Sequence, residues 1–166
     1  MQKRNFTVSD GLVLAAVIVS AIALDRAHAT EHTPMMPDGV IRVRSAYSMP
    51  ETIERLKADI AAKGITFFTA VDQHRLAADA GIQLPPSTLL VFGNPGLGSH
   101  FITSKPDAGL DWPVRLLVRQ DEKSQVWASY TDFGWIARRH SIGDRDAQFK
   151  MASEVIASIT SGVAQK

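Results

Sequence analysis

A succession of three β-type segments limits what this chain can fold into more than any other feature of its sequence. Residues 88–92, 114–119 and 125–130 are rich in branched and aromatic side chains, which favour strands. No long amphipathic helix separates them, and only the polar residues 121–124 lie between the last two, as in a hairpin. Parallel neighbours need a long crossover, usually a helix, so the pattern predicts an antiparallel sheet.

Helical periodicity is present on either side of these segments. Residues 48–64 begin with Ser48 and Glu51 at the spacing of a capping box and end at Gly64. Residues 144–162 show the same apolar periodicity near the C-terminus. The predicted apolar stripes are Ile53, Leu56 and Ile60 in the first helix, and Phe149, Ala152, Val155, Ile156 and Ile159 in the last.

Two further strands and a short helix complete the pattern. Residues 40–47 alternate apolar and polar side chains, residues 65–71 are again branched and aromatic, and residues 74–80 have a short helical pattern. The order is β-α-β-β-β-β-α, which predicts an α+β fold with an antiparallel sheet covered on one face by two helices. The glycine- and proline-rich residues 93–113 are expected to form a functional loop or to hold short helices.

The first 29 residues have the organisation of a signal peptide. Lys3 and Arg4 provide a positive start, residues 11–24 form an uncharged apolar run, and residues 27–29 (Ala-His-Ala) fit the small-x-small rule for cleavage. A transmembrane helix needs roughly 20 apolar residues, more than this run contains. We therefore expect a periplasmic or secreted protein whose mature chain has no transmembrane segment.

Cleavage between Ala29 and Thr30 would leave a flexible leader, residues 30–39, before a single domain over residues 40–166. The new N-terminus would offer a free amine, two backbone amides and an imidazole at position three, a square-planar nitrogen set suited to Cu(II) or Ni(II). The alternative is that a histidine stands there by chance in a polar leader. The candidate copper ligands are Thr30, Glu31 and His32, with Met35 and Met36 as additional thioether ligands for Cu(I).

Composition argues against several classes of function. The chain has 18 basic and 17 acidic residues, and loss of residues 1–29 would leave equal numbers. Phosphate neutralisation, the main driving term for nucleic-acid binding, is therefore missing. There are 0 cysteines, which excludes disulfides, thiol catalysis and cysteine metal sites. No His-Glu-x-x-His motif or Gly-x-Ser-x-Gly elbow is present, so zinc-protease and serine-hydrolase chemistry have no support.

The middle of the chain resembles a known family. The resemblance rests on the run TLLVFGNP at 88–95, Leu97, Gly98, Pro106, Leu110, Asp111, Pro113, Arg115, and later Trp127, Ser129 and Tyr130. Their order and spacing resemble the DUF302 family, a small domain of unknown function, over about residues 44–163. The resemblance implies a TATA-box-binding-protein-like β-α-β4-α fold and a homodimer, with no established activity. His100, Ile102 and Thr103 depart from the family pattern, so the resemblance implies no site on these side chains.

Asp72 and His74 resemble an Asp-x-His position of that family and follow a predicted strand. A carboxylate near an imidazole could orient the ring or raise its pKa. The alternative is that Asp72 caps the short helix and leaves His74 exposed in its first turn.

Four more residues are candidates for a ligand site. Asn94 is first of all a turn former, although the glycine-rich run around it could present backbone N–H groups to an anion. Asp111 is either a turn former or an acid–base group, and His140 is expected at a polar helix end. Convergence of His74, Asn94, Tyr130 and His140 would make a polar pocket.

These observations favour an exported binding module for a small ligand or a periplasmic protein partner over an enzyme. Two alternatives remain open from the residues. One is a periplasmic copper-handling accessory protein that uses the new N-terminus. The other is an enzyme of unrecognised class that uses His74 with Asp72 or Tyr130.

Overall fold

The computed structural model describes residues 38–165, which form one antiparallel sheet and a set of helices. The strands are β1 (Val40–Arg44), β2 (Thr66–Asp72), β3 (Ser87–Gly93), β4 (Val114–Gln120) and β5 (Val126–Thr131). The helices are α1 (Met49–Ala62), α2 (Gln73–Asp79), α3 (Pro95–Ser104), α4 (Phe133–Arg139) and α5 (Asp146–Ser161), with a 3-10 turn at Pro106–Leu110. None of the helices in this part of the chain is both long and apolar enough to cross a bilayer.

The sheet has the strand order β1-β5-β4-β3-β2, and every neighbouring pair is antiparallel. This confirms the predicted α+β class and antiparallel sheet. The first two strands of the sequence occupy opposite edges, so α1, which connects them, crosses one face of the sheet. The three central strands are those that the sequence pattern identified.

The core lies between the sheet and the helices that cover that face. Leu56 and Ile60 of α1 are fully buried, as their helical spacing predicted. They share the core with Leu90 and Leu116, which are directly paired across β3 and β4. Burial of each such side chain stabilises the fold by about 1.5–3 kcal/mol. The apolar core therefore supplies the stability that disulfides cannot provide in a chain with 0 cysteines.

The start of α1 differs from the predicted capping box. Ser48 is the N-cap residue, but its side chain makes no capping hydrogen bond. Glu51 lies instead 2.9 Å from Arg55, so its carboxylate pairs along the helix surface rather than reaching back to the cap. Pro50 stands in the first turn, where a missing N–H is harmless and the fixed φ suits a helix start.

The two edges of the sheet are finished differently. The C-terminal end of β1 is covered by the residues after α5, because Gln165 N donates to Arg44 O over 2.8 Å and Ser45 forms a bridge with Ala164. At β2, the side chains from Thr66 to Ala70 are all exposed, and a register shift between Phe67 and Thr69 marks a bulge. Within residues 38–165, no strand pairs with the outer side of β2.

Candidate functional site: a cleft beside His74

A cleft of about 470 Å³ opens where the beginning of α1 meets the ends of three strands. The end of β2, the start of β3 and the end of β4 lie at the same edge of the sheet because neighbouring strands run in opposite directions. Small-molecule sites commonly enclose about 300–1,000 Å³, so the cleft has a suitable size. Its lining consists of Met49, Pro50, Ile53, Glu54, Asp72, His74, Pro86, Ser87, Thr88 and Gln120.

Local hydrogen bonds orient the two residues that the family resemblance singled out. Asp72 is the N-cap of α2, and its Oδ1 accepts a hydrogen bond from Arg75 N over 2.9 Å. His74 Nδ1 lies 2.6 Å from Leu84 O, so Nδ1 carries the proton and donates it. In neutral His74 the other ring nitrogen, Nε2, is then an acceptor. Among the described residues, neither His74 Nε2 nor Asp72 Oδ2 has a hydrogen-bond partner.

The rest of the cleft combines apolar walls with hydrogen-bond acceptors. Met49 and Ile53 contribute apolar surface from α1. Glu54 adds a carboxylate, which pairs with Lys57 over 3.0 Å at an exposed position. Exposed pairs of this kind contribute at most about 1 kcal/mol, so Glu54 can exchange its partner at little cost. The cleft therefore suits a small molecule that combines hydrogen-bond donors with an apolar part.

A second polar cluster is built around Asp111, whose side chain is only 3 % exposed. His140 Nε2 lies 2.7 Å from Oδ2, and the His140 side chain is 7 % exposed. Arg139 Nη1 donates to Oδ2 over 3.0 Å, and Arg115 Nη2 donates to Oδ1 over 3.0 Å. Both carboxylate oxygens are therefore fully engaged by nitrogen donors.

This Asp111 cluster ties two distant segments together. Asp111 ends the 3-10 turn, and His140 ends α4, so their contact joins the two segment ends. A buried carboxylate is tolerated because three nitrogen donors replace its water. Because no oxygen of Asp111 is left to accept a further proton donor, we assign the cluster a structural role.

Asn94 lies at a third place, a narrow apolar pocket beside Trp112. Its Oδ1 accepts from Leu97 N over 3.1 Å and caps α3, as expected for a turn former. The Trp112 indole rests against Gly98, where any side chain would overlap it. The pocket holds only about 40 Å³ of free space, enough for a few water molecules. It is therefore too small to be the main ligand site.

Tyr130 belongs to the core rather than to a pocket. It pairs with Ile41 and Leu116 in the sheet and is buried on the helix-covered face. Burial raises the pKa of its phenol, and a hydrogen bond with Thr160 opposes that shift. The polar pocket of His74, Asn94, Tyr130 and His140 is therefore not formed in the described part of the chain.

Sequence reasoning found some partners and missed others. It identified Asp111 and His140 as candidates without pairing them, and it did not assign roles in the cluster to Arg139 or in the cleft to Gln120. Arg115 carried a detectable signal, since it stands four residues after Asp111 within the family pattern. Within residues 38–165, no three histidine, aspartate or glutamate side chains are arranged to hold a metal ion. The candidate copper ligands Thr30, Glu31, His32, Met35 and Met36 lie outside the described residues.

Comparison with known proteins identifies the family. The model for "Domain of unknown function DUF302" matches residues 41–162, most of the chain. The chain belongs to the DUF302 family. A crystal structure of an uncharacterised conserved DUF302 protein from Bacillus stearothermophilus has the same fold, with a TM-score of 0.69 at 16 % identity. That similarity covers 75 % of this chain and 98 % of the other.

The curated relatives that this DUF302 chain matches are named as ion channels. A protein named fluoride-specific ion channel FluC 1 from Brucella suis is 40 % identical over 109 residues, or 66 % of this chain and 43 % of the relative. A FluC 1 protein from Brucella abortus is also 40 % identical, over 40 % of its length. The chain thus spans about two fifths of the length of the curated relatives it matches.

Much of what makes the chain recognisable as DUF302 has a structural task. Asn94 caps α3, Gly98 leaves room for Trp112, and Asp111 with Arg115 belongs to the buried cluster. These residues hold the segment between β3 and β4 against the helices. These shared residues therefore identify the fold. The polar atoms without a hydrogen-bond partner in the described chain lie elsewhere, in the cleft beside His74.

Proposed function

We propose that this DUF302 domain is an exported module that binds a small molecule in the cleft beside His74. The observation that carries the proposal is an acceptor, His74 Nε2, that has no hydrogen-bond partner within residues 38–165 and lies at the wall of a cleft of about 470 Å³. The ligand has hydrogen-bond donors for His74 and Asp72 and an apolar part that contacts Met49 and Ile53. An ammonium or amide group on a short hydrocarbon has this chemistry.

Binding is favoured over catalysis because the cleft lacks a catalytic pair. A histidine base usually stands within hydrogen-bond reach of a nucleophile and is oriented by a third group. A backbone carbonyl, Leu84 O, orients His74, and no nucleophilic side chain lies within hydrogen-bond distance of its Nε2 among the described residues. The arrangement supports recognition of a donor group rather than activation of a reacting one.

The test is native mass spectrometry of the protein purified from its own host. A retained small molecule should be present in the wild type and absent from His74→Asn and Asp72→Asn. His74→Asn can still donate to Leu84 O, so the local fold is kept while the acceptor at Nε2 is removed. His100→Asn is the matched control, because His100 is exposed on α3 away from the cleft. Absence of a ligand from the wild type, or its retention by both cleft variants, refutes the proposal.

Export is the part of this proposal that rests on residues 1–29. The same mass measurement should give a mature chain that begins at Thr30. Val17→Asp should block processing, because a charge in a short apolar signal core is costly. A full-length product in the cytoplasm of the host would contradict export and leave the ligand site untouched.

The similarity to fluoride-specific ion channels favours a second role, in fluoride tolerance. A region 40 % identical to this chain forms part of those relatives, so we propose that the domain assists fluoride handling in its own host. A strain without the gene should grow more slowly than its parent on fluoride and equally well on chloride. Complementation by wild type but not by His74→Asn would connect this role to the cleft. Equal growth of both strains on fluoride would exclude it.

A further inference from the structure

The helices of the described chain cover one face of the sheet and leave the other largely uncovered. Side chains along a strand point alternately to the two faces. Leu90 and Leu116 point to the helices, and both are 0 % exposed. Their neighbours Leu89 and Leu117 point to the opposite side and are only half-buried. We call this opposite side of the sheet the open face.

The half of the open face that β2, β3 and β4 form is apolar. Val71 is paired with Leu89, and Leu89 is paired with Leu117, so an apolar row crosses three neighbouring strands. Val91 adjoins this row, two residues beyond Leu89 on the same face. Directly opposed side chains on neighbouring strands have Cβ atoms about 4.5–5.5 Å apart, so the row is contiguous. The described chain leaves all four side chains only half-buried.

The half of the open face that β4, β5 and β1 form is cationic. Arg44 is paired with Trp127, and Trp127 is paired with Arg119, so an Arg-Trp-Arg row crosses these three strands. Arg42 and Arg115 stand on the same face of β1 and β4. Within the described strands, none of the residues on the open face is acidic. Arginine and tryptophan are among the residues that most often dominate binding at protein interfaces.

Three aspartates next to strand ends bond to residues of this cationic half. Asp38 pairs with Arg42 over 2.7 Å, and Asp111 holds Arg115 over 3.0 Å in the buried cluster. Asp121 accepts from the indole of the Arg-Trp-Arg row over 2.8 Å. These aspartates therefore offset the charge of Arg42 and Arg115 but do not form ion pairs with the arginines of the row.

The two arginines of that row keep their positive charge available to a partner. The guanidinium of Arg44 donates to the side-chain oxygen of Gln125, which is a neutral amide. Arg119 makes no salt bridge within residues 38–165 and acts on Asp121 only through space. A partner that brings carboxylates to this row therefore replaces water and a neutral amide rather than an existing ion pair.

Charge and polarity select one kind of occupant for the open face. An apolar sheet face is covered by helices or by a second sheet. The sheet of a second copy would set arginines against arginines, which is unfavourable. Nucleic acid would leave the apolar half unused, and the chain's 18 basic and 17 acidic residues provide little net attraction to phosphates. An amphipathic helix with an apolar stripe and acidic side chains beside it is complementary to both halves.

We infer that the open face is a docking surface for an acidic amphipathic helix of another protein. The apolar stripe of that helix packs on the row that contains Leu89 and Leu117, and its carboxylates pair with Arg44 and Arg119. The cleft beside His74 is lined by α1, which lies on the covered side of the sheet. The docking surface therefore stands or falls separately from the proposed ligand site.

Isothermal titration calorimetry of the purified protein with a synthetic peptide tests this surface. The probe is a helix of about 20 residues with leucines along one stripe and glutamates elsewhere, since shorter isolated helices are marginal in water. The wild type should bind it, and the affinity should fall with rising salt. A counterpart with lysine in place of each glutamate should bind at least about tenfold more weakly, and so should one with serine in place of each leucine.

Variants of the Arg-Trp-Arg row connect the binding to the open face. The double variant Arg44→Gln/Arg119→Gln should weaken binding of the glutamate peptide about tenfold, because it removes both charges of the row. Arg55→Gln/Lys150→Gln is the matched control, since it removes the same charge from exposed positions on α1 and α5. Circular dichroism checks that both double variants fold like the wild type.

Several results would overturn the inference. They are failure of the glutamate peptide to bind, equal binding of either counterpart peptide, and equal effects of the two double variants. Tighter binding of a single-stranded oligonucleotide, or a wild-type dimer that the peptide dissociates, would also overturn it, because the occupant would then be nucleic acid or a second copy. His74→Asn should bind the glutamate peptide as tightly as the wild type, which separates this test from that of the ligand site.

Discussion

Two aspartate–histidine pairs occur in this domain, and they have opposite surroundings. Asp72 and His74 are two residues apart in sequence, yet each bonds to a different backbone group and both are exposed. Asp111 and His140 are 29 residues apart, yet they contact each other over 2.7 Å and are buried. Nearness in sequence therefore predicts neither the contact nor the role.

The difference shows how environment assigns a role to the same two residue types. Both carboxylate oxygens of Asp111 accept hydrogen bonds from His140, Arg139 and Arg115. The Asp111–His140 pair therefore has a structural role and offers no free carboxylate oxygen to a ligand. The atoms Asp72 Oδ2 and His74 Nε2 have no partner among the described residues and face solvent. A pair that contributes little to stability is the one that remains available for binding.

The largest effect should come from removal of the buried carboxylate. Asp111→Ala should lower the free energy of unfolding by about 3 kcal/mol, because it breaks a buried ion cluster and leaves His140 without its partner. The exposed halves of Arg115 and Arg139 can regain water, which keeps the loss from being larger. Urea unfolding measures it. A loss no greater than that of Asp72→Ala would remove the contrast between the pairs.

The imidazole of the buried pair should show the next largest effect. His140→Ala should lower the free energy of unfolding by about 2 kcal/mol, the range of a hydrogen bond to a charged group. His140→Gln, which retains a donor, should recover part of this loss. The matched substitution in the exposed pair, His74→Ala, should have a smaller effect in the same urea experiment. The reverse ranking would show that His74 is the more important of the two for folding.

A smaller effect is expected at the exposed aspartate. Asp72→Ala removes the N-cap of α2 and should lower the free energy of unfolding by about 1 kcal/mol. Asp72→Asn should be nearly neutral, because asparagine caps helices equally well. Thermal unfolding of both variants checks this. If Asp72→Asn destabilises as much as Asp72→Ala, the charge rather than the cap is what the fold uses.

The smallest effect concerns the pH dependence of a third aspartate, Asp121. Its exposure is intermediate between that of Asp72 and that of Asp111. Asp121 is half-buried, and its Oδ2 accepts from Trp127 Nε1 over 2.8 Å, a bond that keeps its pKa below the ordinary value of 3.8. The ionised form is favoured in the folded state, so its contribution is complete above pH 3.8 and is lost as the pH falls through the lower folded value. The indole N–H resonance of Trp127 should therefore shift with a midpoint below 3.8. Asp121→Asn should abolish this titration, and a midpoint above 3.8 would contradict the geometry.

Local pattern was sufficient for most of the framework. The stripe of Leu56 and Ile60 predicted the buried face of α1, and residues 121–124 were correctly predicted to lie in the hairpin loop between β4 and β5, which spans residues 121–125. Side-chain periodicity reports burial directly, because each element must turn one face to the core. Asp72 and His74 were singled out by the family resemblance, and both line the cleft at the point where β2 ends.

Local pattern failed where a partner decides the outcome. Ser48 has the spacing of a capping box, but Glu51 pairs with Arg55 instead. Residues 93–113 were predicted to be a functional loop or to hold short helices, and contacts outside the local pattern decided for helices: Asn94 caps α3 and Gly98 admits Trp112. These choices depend on competing contacts that spacing alone does not rank.

The sequence by itself determined the order of elements, the antiparallel sheet and the membership in the DUF302 family, because these follow from propensity, periodicity and local spacing. Only the tertiary structure decided that Asp111 meets His140 and that β2 is the open edge. Both results depend on strand order, which places residues far apart in sequence side by side and leaves near neighbours apart. Burial and hydrogen bonding distinguish a side chain that stabilises the fold, such as Asp111, from one that remains available to a ligand, such as His74. Both properties are set only when that packing is complete.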